Sequence, residues 1–129
     1  IPKMSHQTIV IYSEHSSTAS LIAAILSTTS ARIVCCSSSE QAIVACLREH
    51  PAIIIALSVT PFIDGTEFIS LVRSRGKSSP AVYVVTWHQS EQTVLSLLEC
   101  GVDQYMTFPI CMGRLRMKAE AQLNTRSRL

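Results

Sequence analysis

The chain carries no block of like charges. Eleven lysines and arginines stand against nine aspartates and glutamates, a formal net charge of +2 over 129 residues. That balance excludes a basic nucleic-acid-binding arm and a membrane-seeking basic helix. No apolar run approaches the ~18 residues a membrane span requires, and no signal-peptide pattern opens the sequence. No C-x-x-C pair occurs among the five cysteines, Cys35, Cys36, Cys46, Cys100 and Cys111. An odd count in a chain with ample core fits a reducing compartment, the cytoplasm, where cysteine serves as a small buried hydrophobe. Neither an internal repeat nor a low-complexity segment is present. What remains, 47% hydrophobic against 16% charged residues, describes one ordered domain with a real core.

The stretch from Pro51 to Gly65 organises the rest. Its six apolar residues, Ala52 to Leu57, run without a polar interruption, which predicts a strand buried on both faces, as in a parallel sheet. A loop with Pro61 follows, closed by the turn dipeptide Asp64-Gly65, and then a helical segment from Thr66 to Arg75. In open α/β sheets chemistry sits outside the carboxyl ends of the strands. Residues Ala56 to Thr60 stand at that place and include no carboxylate, histidine, cysteine or lysine. This lack is the main functional observation in the sequence.

Taken in order, Thr8 to Tyr12 reads as a strand ending at Ser13-Glu14-His15. Ser16 or Ser17 then caps a helix whose apolar stripe is Leu21, Ile22, Ile25 and Leu26. Ala31 to Cys36 is a second strand, and Ser37-Ser-Ser-Glu40 offers a capping box for a helix packing through Ala42, Ile43, Cys46 and Leu47 and ending before Pro51. Beyond the loop Gly76 to Pro80, Ala81 to Val85 is a strand leading to Thr86-Trp87-His88. Ser90 to Cys100 is a helix with Gly101 as its C′ residue, Val102 to Met106 a fifth strand, Phe108-Pro109 a turn, and Met112 to Leu123 a last helix. The polar tail Asn124 to Leu129 is expected to fray. Residues 1–7 are an N-terminal tail in which Met4 would make a natural start, and 124–129 a tail or the start of a linker. Five strands alternating with five helices imply right-handed crossovers and a parallel sheet covered on both faces.

Length, alternation and local motifs together resemble the receiver domain of two-component response regulators. The matching residues are the central strand with Pro61 and Asp64-Gly65 behind it, Thr86 closing the fourth strand, and Gly101-Val-Asp-Gln-Tyr-Met-Thr-Phe-Pro109, close to the family's G-A-D-D-Y-L-T-K-P. The resemblance covers residues 8–123 and implies a flavodoxin-like (βα)5 fold, a doubly wound five-stranded parallel sheet with helices on both faces. The family's chemistry is phosphoryl transfer from a histidine kinase to an aspartate beside Mg²⁺. Carried over position by position, the acceptor aspartate is Leu57, the acidic pair is Ser13-Glu14, and the lysine before the proline is Phe108. The resemblance is therefore to a degenerate pseudo-receiver, not an enzyme, in which Mg²⁺ is not expected. Thr86 and Tyr105 match the family's switch pair, and without a phosphoryl group they read as a strand-ending hydroxyl and an amphipathic core-edge residue. A one-residue slip would bring Ser58 near the acceptor position, but no base adjoins it.

Two further constellations are weak. His15, His88 and Cys111 follow three different strands and could meet at one edge as a zinc or copper site, yet share no ligand spacing. Cys35 and Cys36 point to opposite faces of a strand, one exposed and one buried, and only Arg32 is near enough to favour a thiolate. The helix Ser90 to Cys100 is more informative, because Val94, Leu95, Leu97 and Leu98 form a wider apolar arc than one buried stripe needs. Arg114, Arg116 and Lys118 on the last helix, with Glu91, Glu99 and Asp103 nearby, supply opposite charges. The family dimerises through the fourth helix, fifth strand and fifth helix. Val94, Leu97, Leu98, Tyr105, Arg116 and Lys118 are thus the expected interface. The sequence reads as a cytoplasmic, phosphorylation-independent interaction or dimerisation module, with no direct nucleic-acid or membrane contact. The resemblance implies regulation of a linked output domain beyond Leu129, which in the family is commonly DNA-binding; this chain contains none. The alternatives are an active phosphorelay receiver with an unconventional acceptor, and a thiol or metal sensor.

Overall fold

A computed structural model describes residues 7–58, 80–86, 92, 95, 98, 99 and 101–127. Strands and helices follow one another as β1 (Thr8–Ser13), α1 (Ser16–Leu26), β2 (Arg32–Cys36), α2 (Ser39–Glu49), β3 (Ile53–Ser58), β4 (Ala81–Thr86), β5 (Gln104–Thr107) and α3 (Met112–Ser127). Residues 92, 95, 98 and 99 are helical too, within the expected helix Ser90 to Cys100. The loop and helix expected between Thr60 and Arg75 lie outside the described residues.

The five strands form one sheet in the order β2-β1-β3-β4-β5, with every pairing parallel. Strand side chains alternate between two faces, and the chain fills both with aliphatic residues. On one face Ile9, Ile11, Ile53, Ile55, Leu57, Tyr83, Val85 and Met106 pack with Ile22 and Leu26 of α1 and Leu115, Ala119 and Leu123 of α3. On the other, Val10, Ile54, Ala56, Val82 and Val84 pack with Ala42 and Ala45 of α2. Ile53 to Ala56 are wholly buried, because each has a helix layer above or below and a strand on either side. The uninterrupted apolar run follows directly from that position.

Helix faces and caps differ from expectation in detail. Leu21 and Leu47, expected in the buried stripes, are exposed, while Ala19 and Ala45 are buried. In α2 the buried face consists of the small residues Ala42 and Ala45, whereas in α1 Ile22 and Leu26 are buried beside Ala19. The capping box is displaced by one residue. Ser38 is the N-cap of α2 and its hydroxyl accepts from the Gln41 N–H at 3.2 Å. The Gln41 side-chain oxygen reaches back to accept from the N–H and hydroxyl of Ser37 at 3.0 and 3.1 Å. Glu40 is thus an exposed first-turn acid and not the partner in the box. Neither Ser16 nor Ser17 caps α1; His15 occupies the cap in extended backbone with no side-chain bond.

The remaining boundaries have local causes. The helix α2 stops as expected before Pro51, with His50 at its C-cap in the left-handed region (φ 49°) and its N–H donating to the Cys46 carbonyl at 3.1 Å. Gly101 has φ 99°, the conformation that makes glycine the natural C′ residue. Asp103 joins β4 ahead of the β5 ladder: its N–H donates to the Val82 carbonyl at 2.8 Å and its carboxylate accepts from the Val82 N–H at 2.7 Å. The peptide between Phe108 and Pro109 is cis. The expected frayed tail is instead helical to Ser127, and the Thr125 hydroxyl donates back to the Ala121 carbonyl at 2.9 Å.

Tyr83, 2% exposed, donates its hydroxyl to the Lys118 carbonyl of α3 at 3.1 Å. Burial, and then the Asp103 carboxylate, push this phenol up to about 12.

Two outcomes are expected. Ser38→Ala lowers stability by about 1 kcal/mol through loss of the cap, whereas Glu40→Ala changes it by no more than about 0.5 kcal/mol; urea unfolding of both variants checks the displaced box. In an alkaline spectrophotometric titration Tyr83 ionises near 12, against an ordinary value of about 10. Because its folded pKa is raised, its contribution to stability is complete below about pH 10 and is lost as pH rises through the folded value. Tyr83→Phe removes that late transition.

Candidate functional site

The carboxyl edge of the sheet collects the residues singled out in the sequence. In the strand register Ser13 of β1 stands opposite Leu57 of β3, and Leu57 opposite Val85 of β4. One residue further on, Ser58 stands opposite Thr86, and Thr86 opposite Thr107 of β5. The side chain of Ser58 lies outside the described residues.

Ser13 is buried, and its hydroxyl both accepts from the His15 N–H at 3.0 Å and donates to the His15 carbonyl at 3.1 Å. The hydroxyl closes the turn into α1 and is engaged within it. Glu14 beside it is exposed. Leu57 is 6% exposed and belongs to the apolar layer under α1 and α3, against which the half-buried Phe108 and Ile110 also pack. Thr86 is 1% exposed, and its carbonyl accepts from the Phe108 N–H at 3.0 Å, which ties the end of β4 to the residue after β5. Tyr105 is half-buried against the opposite, α2-side layer, and burial pushes its phenol up. Since Val84 is its register partner, Tyr105 lies two residues back from Thr107 on the face that also carries Thr86.

The chemistry open to this set is narrow. Of the five positions Ser13, Glu14, Leu57, Thr86 and Phe108, only Glu14 carries a carboxylate. Mg²⁺ prefers hard oxygen donors and several charges beside a phosphate. A hydroxyl committed to a backbone turn, a buried leucine and a phenylalanine do not fit it.

The other constellations are placed as follows. His15 caps α1 beyond β1, and Cys111 precedes α3 beyond β5; His88 lies outside the described residues. Three strand spacings separate β1 from β5, or about 14 Å. Among the described residues no group of three or more His, Cys, Asp or Glu is arranged to hold a metal ion. Cys35 is exposed and Cys36 buried, as alternation requires. Arg32, the cation expected to favour a thiolate, is paired with Glu49 at 2.7 Å. Burial, then Cys35, pushes the Cys36 thiol up, and burial, then Cys36, pushes Cys46 up to about 11. These shifts oppose thiolate chemistry.

At the expected interface Leu98 and Leu95 are exposed at 48% and 54%, three residues apart on one helix face. Val94 and Leu97 lie outside the described residues. Arg116 is exposed and pairs with Glu120 of its own helix at 3.4 Å, whereas Lys118 is half-buried. Sequence reasoning missed the Tyr83 hydrogen bond and the Asp103 bridge; the one available signal was a lone polar tip inside the apolar run Ala81 to Val85.

Among the described residues no helix is long and apolar enough to cross a membrane. Solved structures share the architecture. The chain aligns with the CheY-like response regulator receiver domain protein from Methanospirillum hungatei JF-1 at 18% identity, covering 96% of this chain and 98% of that one with a TM-score of 0.82. It aligns with the signal receiver domain of a signal transduction histidine kinase from Syntrophus aciditrophicus at 21% identity, covering 95% and 94% with a TM-score of 0.82. A response regulator signal receiver domain from Bermanella marisrubri gives 18% identity, 92% and 99% coverage and a TM-score of 0.80. At these identities the likeness is one of fold. No curated protein sequence matches the chain. The family model of the response regulator receiver domain matches residues 9–120, and the chain belongs to that family.

Proposed function

We propose that this receiver domain is a pseudo-receiver, a signalling and protein-interaction module that works without phosphorylation. The observation that carries the reading is Leu57, buried at the end of β3 in one apolar layer with Phe108. A leucine offers no nucleophile, and a phosphoryl group there would place about two negative charges in the apolar layer that the described residues form around it. Among the described residues the strand ends hold no carboxylate cluster, so no Mg²⁺ is needed there to relieve repulsion, and a single constitutive conformation is favoured. The domain is not an enzyme in this reading. It acts in the cytoplasm and regulates an output domain joined beyond Leu129, without itself contacting nucleic acid or membrane.

Its working surface is the face formed by the helical residues 92, 95, 98 and 99, β5 and α3. Leu95 and Leu98 supply an exposed apolar centre, while Glu99 and Arg116, both exposed, lend opposite charges to a rim. The occupant is a protein partner or a second copy of the chain.

Incubation with a small-molecule phosphodonor and Mg²⁺, followed by intact-mass measurement, is expected to leave the mass unchanged. A stoichiometric phosphate adduct would establish an unconventional acceptor and overturn the reading. Sedimentation velocity over a wide concentration range is expected to give a dimer without phosphodonor, and Leu98→Glu a monomer. A wild-type chain that stays monomeric removes self-association and leaves a heterologous partner as the occupant.

A further inference from the structure

The last helix is held on the sheet by Leu115, Ala119 and Leu123, which pack into the apolar layer shared with α1. Apolar packing is non-directional, so by itself it sets neither the axial position of a helix nor its rotation sharply. A directional contact crosses the same layer. Tyr83 projects from β4, and its hydroxyl donates to the main-chain carbonyl of Lys118 at 3.1 Å. A carbonyl has two lone pairs and can accept this bond beside a helical one. Lys118 lies between Leu115 and Ala119 in sequence, so the bond falls inside the packed stretch of the helix and not at an end. The same strand ends three residues later at the buried Thr86, whose carbonyl holds the Phe108 N–H.

We propose that Tyr83 is a latch that fixes the axial position and rotation of α3 against β4, and thereby the direction in which the turn from Arg116 to Lys118 is presented. A phenol reaching a backbone carbonyl constrains the helix itself and not one rotamer of a side chain. Displacement of β4 at its carboxyl end is then transmitted to α3 through this bond, whereas sliding of the helix over leucine and alanine alone would absorb it. The use made of the presented turn rests on the interface reading above; the latch does not.

Tyr83→Phe removes the oxygen and keeps the ring, so the core retains its shape. Amide hydrogen exchange of the full chain, followed residue by residue, is the test. In Tyr83→Phe the amides of residues 115–123 are expected to lose protection about fivefold, the factor corresponding to one net hydrogen bond, while those of β1 and β3 lose less than about half as much. An equal loss in helix and sheet would make the bond a contribution to global stability only, and no loss in 115–123 would make it idle; either overturns the latch. Sedimentation velocity on the same variant separates the two ideas. A loosened α3 in a chain whose association is unchanged keeps the latch and rejects the role of that turn in the interface.

Discussion

The structure depends on β3 being covered on both faces. A central strand of a parallel sheet has a strand on either side and helices above and below, so none of its side chains reaches water except near its ends. Ile53 to Ala56 meet that demand with aliphatic groups on both faces. At the carboxyl end of such a strand a polar group can be placed, because the loops and helix starts there supply donors and solvent. In this chain the apolar column continues to the end: Leu57 lies in the same layer as Ile53, Ile55 and Phe108. Packing thus extends into the place where an α/β sheet ordinarily does chemistry, and the residues around it have followed. Ser13 closes a turn, and Thr86 is anchored by the Phe108 N–H.

How much of this the sequence shows varies with the kind of order. Strands were legible because an uninterrupted aliphatic run has one good explanation, burial on two faces, and the run from Ala52 to Leu57 is long enough to be unambiguous. Helix faces were legible only to within one position. In α1 and α2 more residues are apolar than one face can bury, and the choice between Leu47 and Ala45 is made by how closely the helix approaches the sheet, which a pattern of hydropathy does not encode. Three consecutive serines at 37–39 allow three registers of the same capping box, and geometry selects Ser38 with Gln41. The tail beyond Leu123 is polar but has neither proline nor glycine, so helical bonding already established in α3 propagates to Ser127.

The candidate site was legible as a set of positions and not as a set of contacts. That Leu57 cannot accept a phosphoryl group follows from its identity; that Phe108 shares a layer with it, and that the Ser13 hydroxyl is engaged by His15, does not. Tyr83 was the least accessible. Its partner is a main-chain carbonyl 35 residues away, and no motif announces a bond to a backbone group. The tyrosine looks like any other member of a buried strand until the helix is set upon it.

A switch requires two states and something that binds them unequally. In a receiver with an acceptor carboxylate, that inequality can be supplied by a covalent charge and its metal. Here the corresponding position is aliphatic, and in the pseudo-receiver reading proposed above an energy difference between states of this domain arises at its surface. The exposed pair Leu95 and Leu98 can supply one, since each loses water only when something is seated on that helix face. The neighbouring charge supports the same conclusion from another direction. Arg116 is tied to Glu120 within its own helix and half exposed, an arrangement worth only about 0.3–0.5 kcal/mol. Exchanging that bond for one to an acidic group of a partner therefore costs little, and charges so weakly committed suit the proposed reading, in which association sets the state of the domain.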